Sequence, residues 1–80
     1  MPVEEQVRLI LSRISGRNKD LIMPEMDLDT DLDIDAYSKV DVLADMEEAF
    51  IMEISDEQID NAKTVQDLYD IVNNDMNKAT

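Results

Sequence analysis

Eighty residues suffice for one domain, near the lower size at which a hydrophobic core alone holds a fold together. The chain has no cysteine and no histidine, which removes disulfides, thiolate metal sites, and any Ser-His-Asp or Cys-His catalytic arrangement. Twenty acidic residues against seven basic ones give a net charge of −13, which argues against nucleic acid and anionic membranes and for basic protein partners. Glu4 and Glu5 precede any apolar segment and no apolar run approaches membrane-spanning length, so a cytoplasmic protein without membrane insertion is expected.

Pro2 to Ser15 reads as the first helix. Pro2 suits a first helical position, and Glu4 and Glu5 suit the positive end of the helix dipole. Val3, Val7, Ile10, Leu11 and Ile14 recur at helical spacing and form one buried stripe, and Gly16, the only glycine, follows as C-cap. Arg13, in the last turn, complements the dipole.

Residues 17–34 form a long connection. Pro24 blocks a regular helix through it, although a short helical turn fits. Leu21, Ile22, Met23, Met26, Leu28 and Leu32 supply apolar groups that can pack down, as expected of a long loop in a small domain. Asp27, Asp29, Asp31, Asp33 and Asp35 alternate with apolar or small residues. A strand is disfavoured, because Asp is a poor strand residue. A calcium loop is disfavoured too: counted from Asp27, its Gly and Glu positions hold Leu32 and Ser38. No metal site is expected beyond weak, nonspecific divalent binding.

The stretch from Asp33 to Phe50 reads as an amphipathic helix with Asp35 as N-cap, ending near Ile51. At about 100° per residue, Val42, Leu43, Met46 and Phe50 share one arc. Tyr37, Asp41, Ala44 and Glu48 share the opposite arc, with Asp45 beside them. Lys39 lies on the apolar arc, where its stem can follow the core while its ammonium reaches water. Ser55 and Gln58 match a capping box and open a short third helix, about Asp56 to Asn61, with Ile54 and Ile59 inward. Thr64 caps a fourth helix with Val65, Leu68, Ile71 and Val72 on one side. Tyr69 is expected to bury its ring in part and keep its hydroxyl wet, and the polar stretch from Asn73 onward is expected to fray. The sum is all-α: one domain over residues 1–80, four helices with a short third, and a long first loop.

Taken together and in order, Asp31-Leu32, Asp35-Ala36-Tyr37, Glu47-Glu48-Ala49-Phe50 and Thr64-Val65-Gln66-Asp67 resemble the acyl carrier protein family, over most of the chain. The resemblance implies a four-helix bundle that is not an enzyme and has no catalytic residues. In the family, an Asp-Ser-Leu motif opens the second helix and its serine carries a 4′-phosphopantetheine arm, installed by a phosphopantetheinyl transferase with a divalent ion. The arm holds acyl groups as thioesters, and acyl-handling enzymes with basic surfaces dock on the acidic helix. A helix N-terminus suits the phosphodiester, because free N–H groups and the dipole meet it there.

Aligned on the Glu-Glu-x-Phe ending, Asp35, Ala36 and Tyr37 occupy the motif, and Ala36 stands where the family has its serine. No phosphodiester can form on a methyl group. Ser38, two residues on, is rotated roughly 200° around the helix and lacks the preceding Asp. Two accounts stay open: an engineered serine-to-alanine change that keeps the protein unmodified, and a natural pseudo-carrier that binds partners without cargo. Tyr37 replaces the usual Leu, and reads either as a tolerated exposed aromatic or as a docking contact. Asp33 and Ile34 replace the Gly and small residue common before the motif, which points to a specialised carrier. Asp41, Ala44, Asp45, Glu47, Glu48 and Asp56, with Glu53 and Glu57 nearby, are the partner-binding candidates, and no base lies between Val40 and Lys63. A monomer is expected. The competing reading is an acidic interaction module without cargo. The acyl cargo and pathway, whether fatty-acid, polyketide, nonribosomal-peptide or D-alanyl, are not encoded in these motifs.

Overall fold

The apolar stripe of the first segment becomes helix α1, Val3–Ser15, with Val7, Ile10 and Leu11 buried and Val3 and Ile14 half-buried against the core. Pro2 is the N-cap rather than the first helical residue, because its ψ of 140° is extended while its carbonyl accepts from Gln6 N. Gly16 ends the helix at φ 77°, the left-handed conformation that glycine adopts without a Cβ clash, and its N–H returns to the Ser12 carbonyl. The computed structural model describes the backbone of residues 2–78 and the side chains of residues 2–74.

The long connection holds one 3-10 turn, Lys19–Leu21, capped by the Asn18 side chain, which accepts from Asp20 N at 2.9 Å. Lys19 reaches back to the Glu5 carboxylate, which also takes Arg8 Nη2 at 2.8 Å. Ile22, Leu28, Leu32 and Ile34 are buried. Leu21 and Met23, expected to pack down, stay exposed at 67% and 50%. They flank Ile22, whose backbone is extended at φ −86° and ψ 112°, and neighbours along an extended chain point to opposite sides.

The alternating aspartates form no strand; among the described residues the pairing nearby is an isolated antiparallel bridge between Asp27 and Thr64. Asp27 instead folds the loop on itself. Its Oδ1 accepts from Asp29 N and Thr30 N, both at 2.9 Å, while Asp31 Oδ2 accepts from Asp27 N at 2.7 Å. These N–H bonds, that of Thr30 first, hold the Asp27 carboxyl below the ordinary carboxylate range. Asp33 sits at φ 59°, a left-handed position that Asp tolerates better than most residues. Among the described residues no group of acids could hold a metal ion.

Helix α2 spans Ala36–Phe50, α3 spans Asp56–Asn61 and α4 spans Val65–Lys78. Among the described residues these four α-helices and the 3-10 turn are the regular structure, so the chain is an all-helical bundle of the acyl-carrier type. Both halves of the Ser55–Gln58 capping box form. Thr64 Oγ1 accepts from Asp67 N at 3.3 Å, and Asp67 Oδ2 accepts from Lys63 N and Thr64 N. The first N–H groups of α4, orphaned in any helix, are taken by the long loop: Val65 N donates to the Met26 carbonyl at 3.0 Å and Gln66 N to the Pro24 carbonyl at 2.9 Å.

Helix α1 packs on α2 and α4, and α2 on α3. Val42 and Met46 of α2, Ile54 and Ile59 around α3, and Val65, Leu68 and Val72 of α4 close the core. Full burial of each such aliphatic side chain stabilises by about 1.5–3 kcal/mol before entropy is counted.

One expectation for α4 is corrected. Tyr69 is buried at 2% exposure, and its hydroxyl is enclosed beside Arg8 of α1 rather than wet, with no hydrogen bond of normal geometry among the described residues. The backbone of the polar stretch from Asn73, expected to fray, is helical as far as Lys78, and residues 79–80 of that stretch lie outside the described residues.

Candidate functional site: the amino end and outer face of α2

Asp35 begins the site. Its Oδ1 accepts from Ser38 N at 2.9 Å, satisfying one of the free donors of the helix start. That bond, led by the Ser38 N–H, holds the Asp35 carboxyl below the ordinary range. Ala36 follows as the first residue of α2 and is exposed. It lines a recess of about 340 Å³ with Asp29, Ile34, Asp35, Lys39 and Asp60. The recess offers a helix amino end to an anion, but residue 36 presents a methyl group and no oxygen. Ser38 is half-buried and uses its N–H on Asp35.

Lys39 has a partner that its place on the apolar arc does not foretell. It is half-buried, and its Nζ donates to the Ala62 carbonyl oxygen at 2.8 Å. The α3–α4 junction brings the Ala62 carbonyl within reach of the first turn of α2, and the lysine stem spans the gap.

The outer face of α2 brings Tyr37, Asp41, Ala44 and Glu48 together as exposed residues, Tyr37 at 87%, and Asp56 is exposed at the start of α3. Two other candidates have partners inside the molecule. Asp45 is half-buried, with Oδ2 3.8 Å from Arg13 Nη2 of α1. Glu47 is half-buried and accepts from Ile54 N at 3.0 Å, while its carbonyl receives the Ile51 N–H that closes α2. Glu47 therefore shapes the exit from α2.

Sequence reasoning missed two exposed apolar residues on this face. Val40 is 61% exposed and Ile51 is 91% exposed. Val40 was legible, since it lies three residues after Tyr37 and four before Ala44 and so falls on their arc. Ile51 caps α2 at φ 50° and ψ 57°, where Gly or Asn is usual. The only signal was a β-branched residue directly after the last helical position.

Comparison of the sequence with known proteins identifies the family. The family model described as phosphopantetheine attachment site matches residues 5–72. The chain is 34% identical to the acyl carrier protein of Thermosynechococcus vestitus over 70 residues, covering 88% of this chain and 86% of that protein. It is 35% identical to that of Myxococcus xanthus over 63 residues, covering 79% and 80%, and 36% identical to that of Syntrophobacter fumaroxidans over 61 residues, covering 76% and 75%. With the match running from α1 into α4 and taking in the Asp35-capped start of α2, the chain belongs to the acyl carrier protein family, whose members are carriers and not enzymes.

Proposed function

We propose that this chain is an acyl carrier protein in a permanently unmodified form, with Ala36 at the attachment position and the outer face of α2 as docking surface for acyl-handling enzymes in the cytoplasm. The observation that carries this reading is the amino end of α2. Asp35 caps it, Ala36 is exposed beside a recess, and the exposed face of Tyr37, Asp41, Ala44 and Glu48 begins there. The capped helix start and the exposed attachment position are both present, and the serine oxygen is what position 36 lacks. Such intact surroundings favour a serine-to-alanine replacement in a working carrier over a natural pseudo-carrier.

In a form carrying serine at position 36, the hydroxyl oxygen would be the attachment atom, Asp35 would keep the helix start in place, and the free N–H groups of α2 would face the phosphate. The arm supplies the thiol on which acyl groups ride. The acidic face steers basic enzymes to the helix, and its net negative charge opposes pairing of two copies.

The test is Ala36→Ser, incubated with a broad-range phosphopantetheinyl transferase, coenzyme A and magnesium. Intact-mass spectrometry is expected to show one phosphopantetheine on the Ser variant and none on the chain with Ala36. Arm addition to the Ala36 chain would move the attachment position, with Ser38 the next candidate. A Ser variant that stays unmodified with several transferases would leave a cargo-free interaction module as the better account.

A further inference from the structure

The far end of α2 carries an apolar side chain that the fold does not use. Ile51 is the most exposed large apolar residue in the described chain, at 91%. It stands outside the core, and it holds a left-handed backbone that a β-branched residue adopts only at a cost. A single exposed isoleucine is ordinary. This one ends the helix whose outer face also exposes Tyr37 and Val40. From residue 36 to residue 51 the chain runs about 22 Å, at the rise of an α-helix.

Acids predominate on the segments next to Ile51. Glu48, Glu53, Asp56 and Glu57 are exposed and no basic residue occurs between Val40 and Lys63, while Arg13 of α1 faces Asp45 and Glu48. A second copy of this chain would set acid against acid, so self-association through this end is opposed. A partner that covers Ile51 must bring positive charge at the rim and an apolar recess at the centre, the arrangement of a buried anchor within a polar surround.

We infer that Ile51 is a second anchor for docking: it inserts into an apolar recess rimmed by Lys or Arg on the partner enzyme, about 20 Å from the point at which residue 36 is presented. The acidic residues bring the partner on and Ile51 keeps it there. Two contacts one helix length apart also fix the direction of α2 on the partner, which a single patch of charge does not. The inference rests on the carrier reading above and names what selects the partners.

The unmodified chain is itself a suitable probe, since it can dock on a phosphopantetheinyl transferase but not turn over. Binding of the chain with Ala36 to a purified broad-range transferase is measured by biolayer interferometry at low salt, alongside Ile51→Asn, Ile51→Gly and Ile51→Leu. Asn and Gly both accept the left-handed backbone, so neither should lower the melting temperature. Both are expected to raise Kd about tenfold through faster dissociation, while Ile51→Leu keeps near-parental affinity. Loss of affinity without loss of stability is the signature, because a residue with a structural role would lose both. Parental affinity in the Asn and Gly variants, with binding still weakened by Asp41→Lys and Glu48→Lys, overturns the anchor and leaves the carrier reading intact. Failure of the carrier reading shows separately, as an Ala36→Ser variant that takes no phosphopantetheine, and it removes the anchor with it.

Discussion

Lys39 Nζ donates to the Ala62 carbonyl oxygen at 2.8 Å, and so ties the first turn of α2 to the residue that ends α3. The bond spans 23 residues of chain and is charge-assisted, the stronger class of hydrogen bond. Helix α3 has only six residues and cannot persist alone. It is held by the capping box at its start, by Ile59 in the core, and by this lysine at its end. Lys39→Met keeps an apolar stem and removes the donor. The expected result is a loss of about 1–2 kcal/mol in urea unfolding, with faster amide exchange in α3 than in α1. An unchanged midpoint would mean that water replaces the lysine at no cost.

Tyr69 gives a prediction of opposite sign. Its hydroxyl is buried with no hydrogen bond of normal geometry among the described residues, and burial raises its pKa, with the charge and the guanidinium N–H groups of nearby Arg8 working against that rise. An unpaired buried hydroxyl costs of order 1–3 kcal/mol, so removing it while keeping the ring should not harm the fold. Tyr69→Phe is expected to leave stability unchanged or raise it by up to about 1 kcal/mol. A clear drop in melting temperature would reveal a bond to that oxygen in solution.

These two residues show where sequence reading succeeds and stops. Local chemistry was legible: the stripe of α1 with its Gly16 cap, Asp35 before α2, Ser55 and Gln58 around α3, and Thr64 before α4 all act through neighbours within four residues, and all formed. Long-range partners were not. Helical period gave the correct arc for Lys39 and Tyr69 but could not say that Ala62 would sit over one and α1 over the other. Asp45 and Glu47 looked like Glu48 by composition. Only the approach of Arg13 and the turn back to Ile54 separate them. The first part of the long loop, before Asp27, has no period, so nothing distinguished Leu21 and Met23 from the buried Ile22.

Asp67 sets a pH dependence whose sign can be worked out. The Lys63 and Thr64 N–H groups hold its carboxyl below the ordinary value of 3.8. A carboxyl with a depressed folded-state pKa contributes stability that is present above its unfolded value and is lost as pH falls through the folded one. The parent chain and Asp67→Ala should therefore differ at pH 7, by about 1 kcal/mol for a lost cap, and the gap should narrow once pH falls below 3.8. Comparing the two proteins at each pH removes the background from the other acids. A gap that stays constant from pH 7 down to pH 2.5 (roughly the span that brackets carboxylate titration) would show that the bonds do not depend on the ionised carboxylate.

The acidic residues of α2 should divide into two groups when reversed to lysine. Asp41 and Glu48 are exposed and none of the hydrogen bonds or ion pairs described here involves their side chains, so their replacement should leave stability within about 0.5 kcal/mol. Relief of local repulsion sets the sign toward greater stability. Their effect belongs to encounter with a basic partner: the double variant Asp41→Lys, Glu48→Lys is expected to slow association about tenfold or more at low salt, with little change in dissociation. Glu47 differs because its carboxylate accepts from Ile54 N. Glu47→Lys leaves that N–H without its acceptor and places a cation at the C-terminal turn of α2, so stability should fall by about 1 kcal/mol from the lost bond, less whatever the cation returns through the helix dipole. Asp45→Lys sets a cation near Arg13, where the existing pair at 3.8 Å is exposed on the arginine side and contributes little. It should cost only a few tenths of a kcal/mol and slow docking less than the outer pair does. Association rates measured against ionic strength separate the two groups, since screening should erase the defect of the outer pair and leave the instability of Glu47→Lys in place. If all four reversals slow association equally with no change in stability, charge on α2 acts as a whole and the inner contacts of Asp45 and Glu47 do not set them apart.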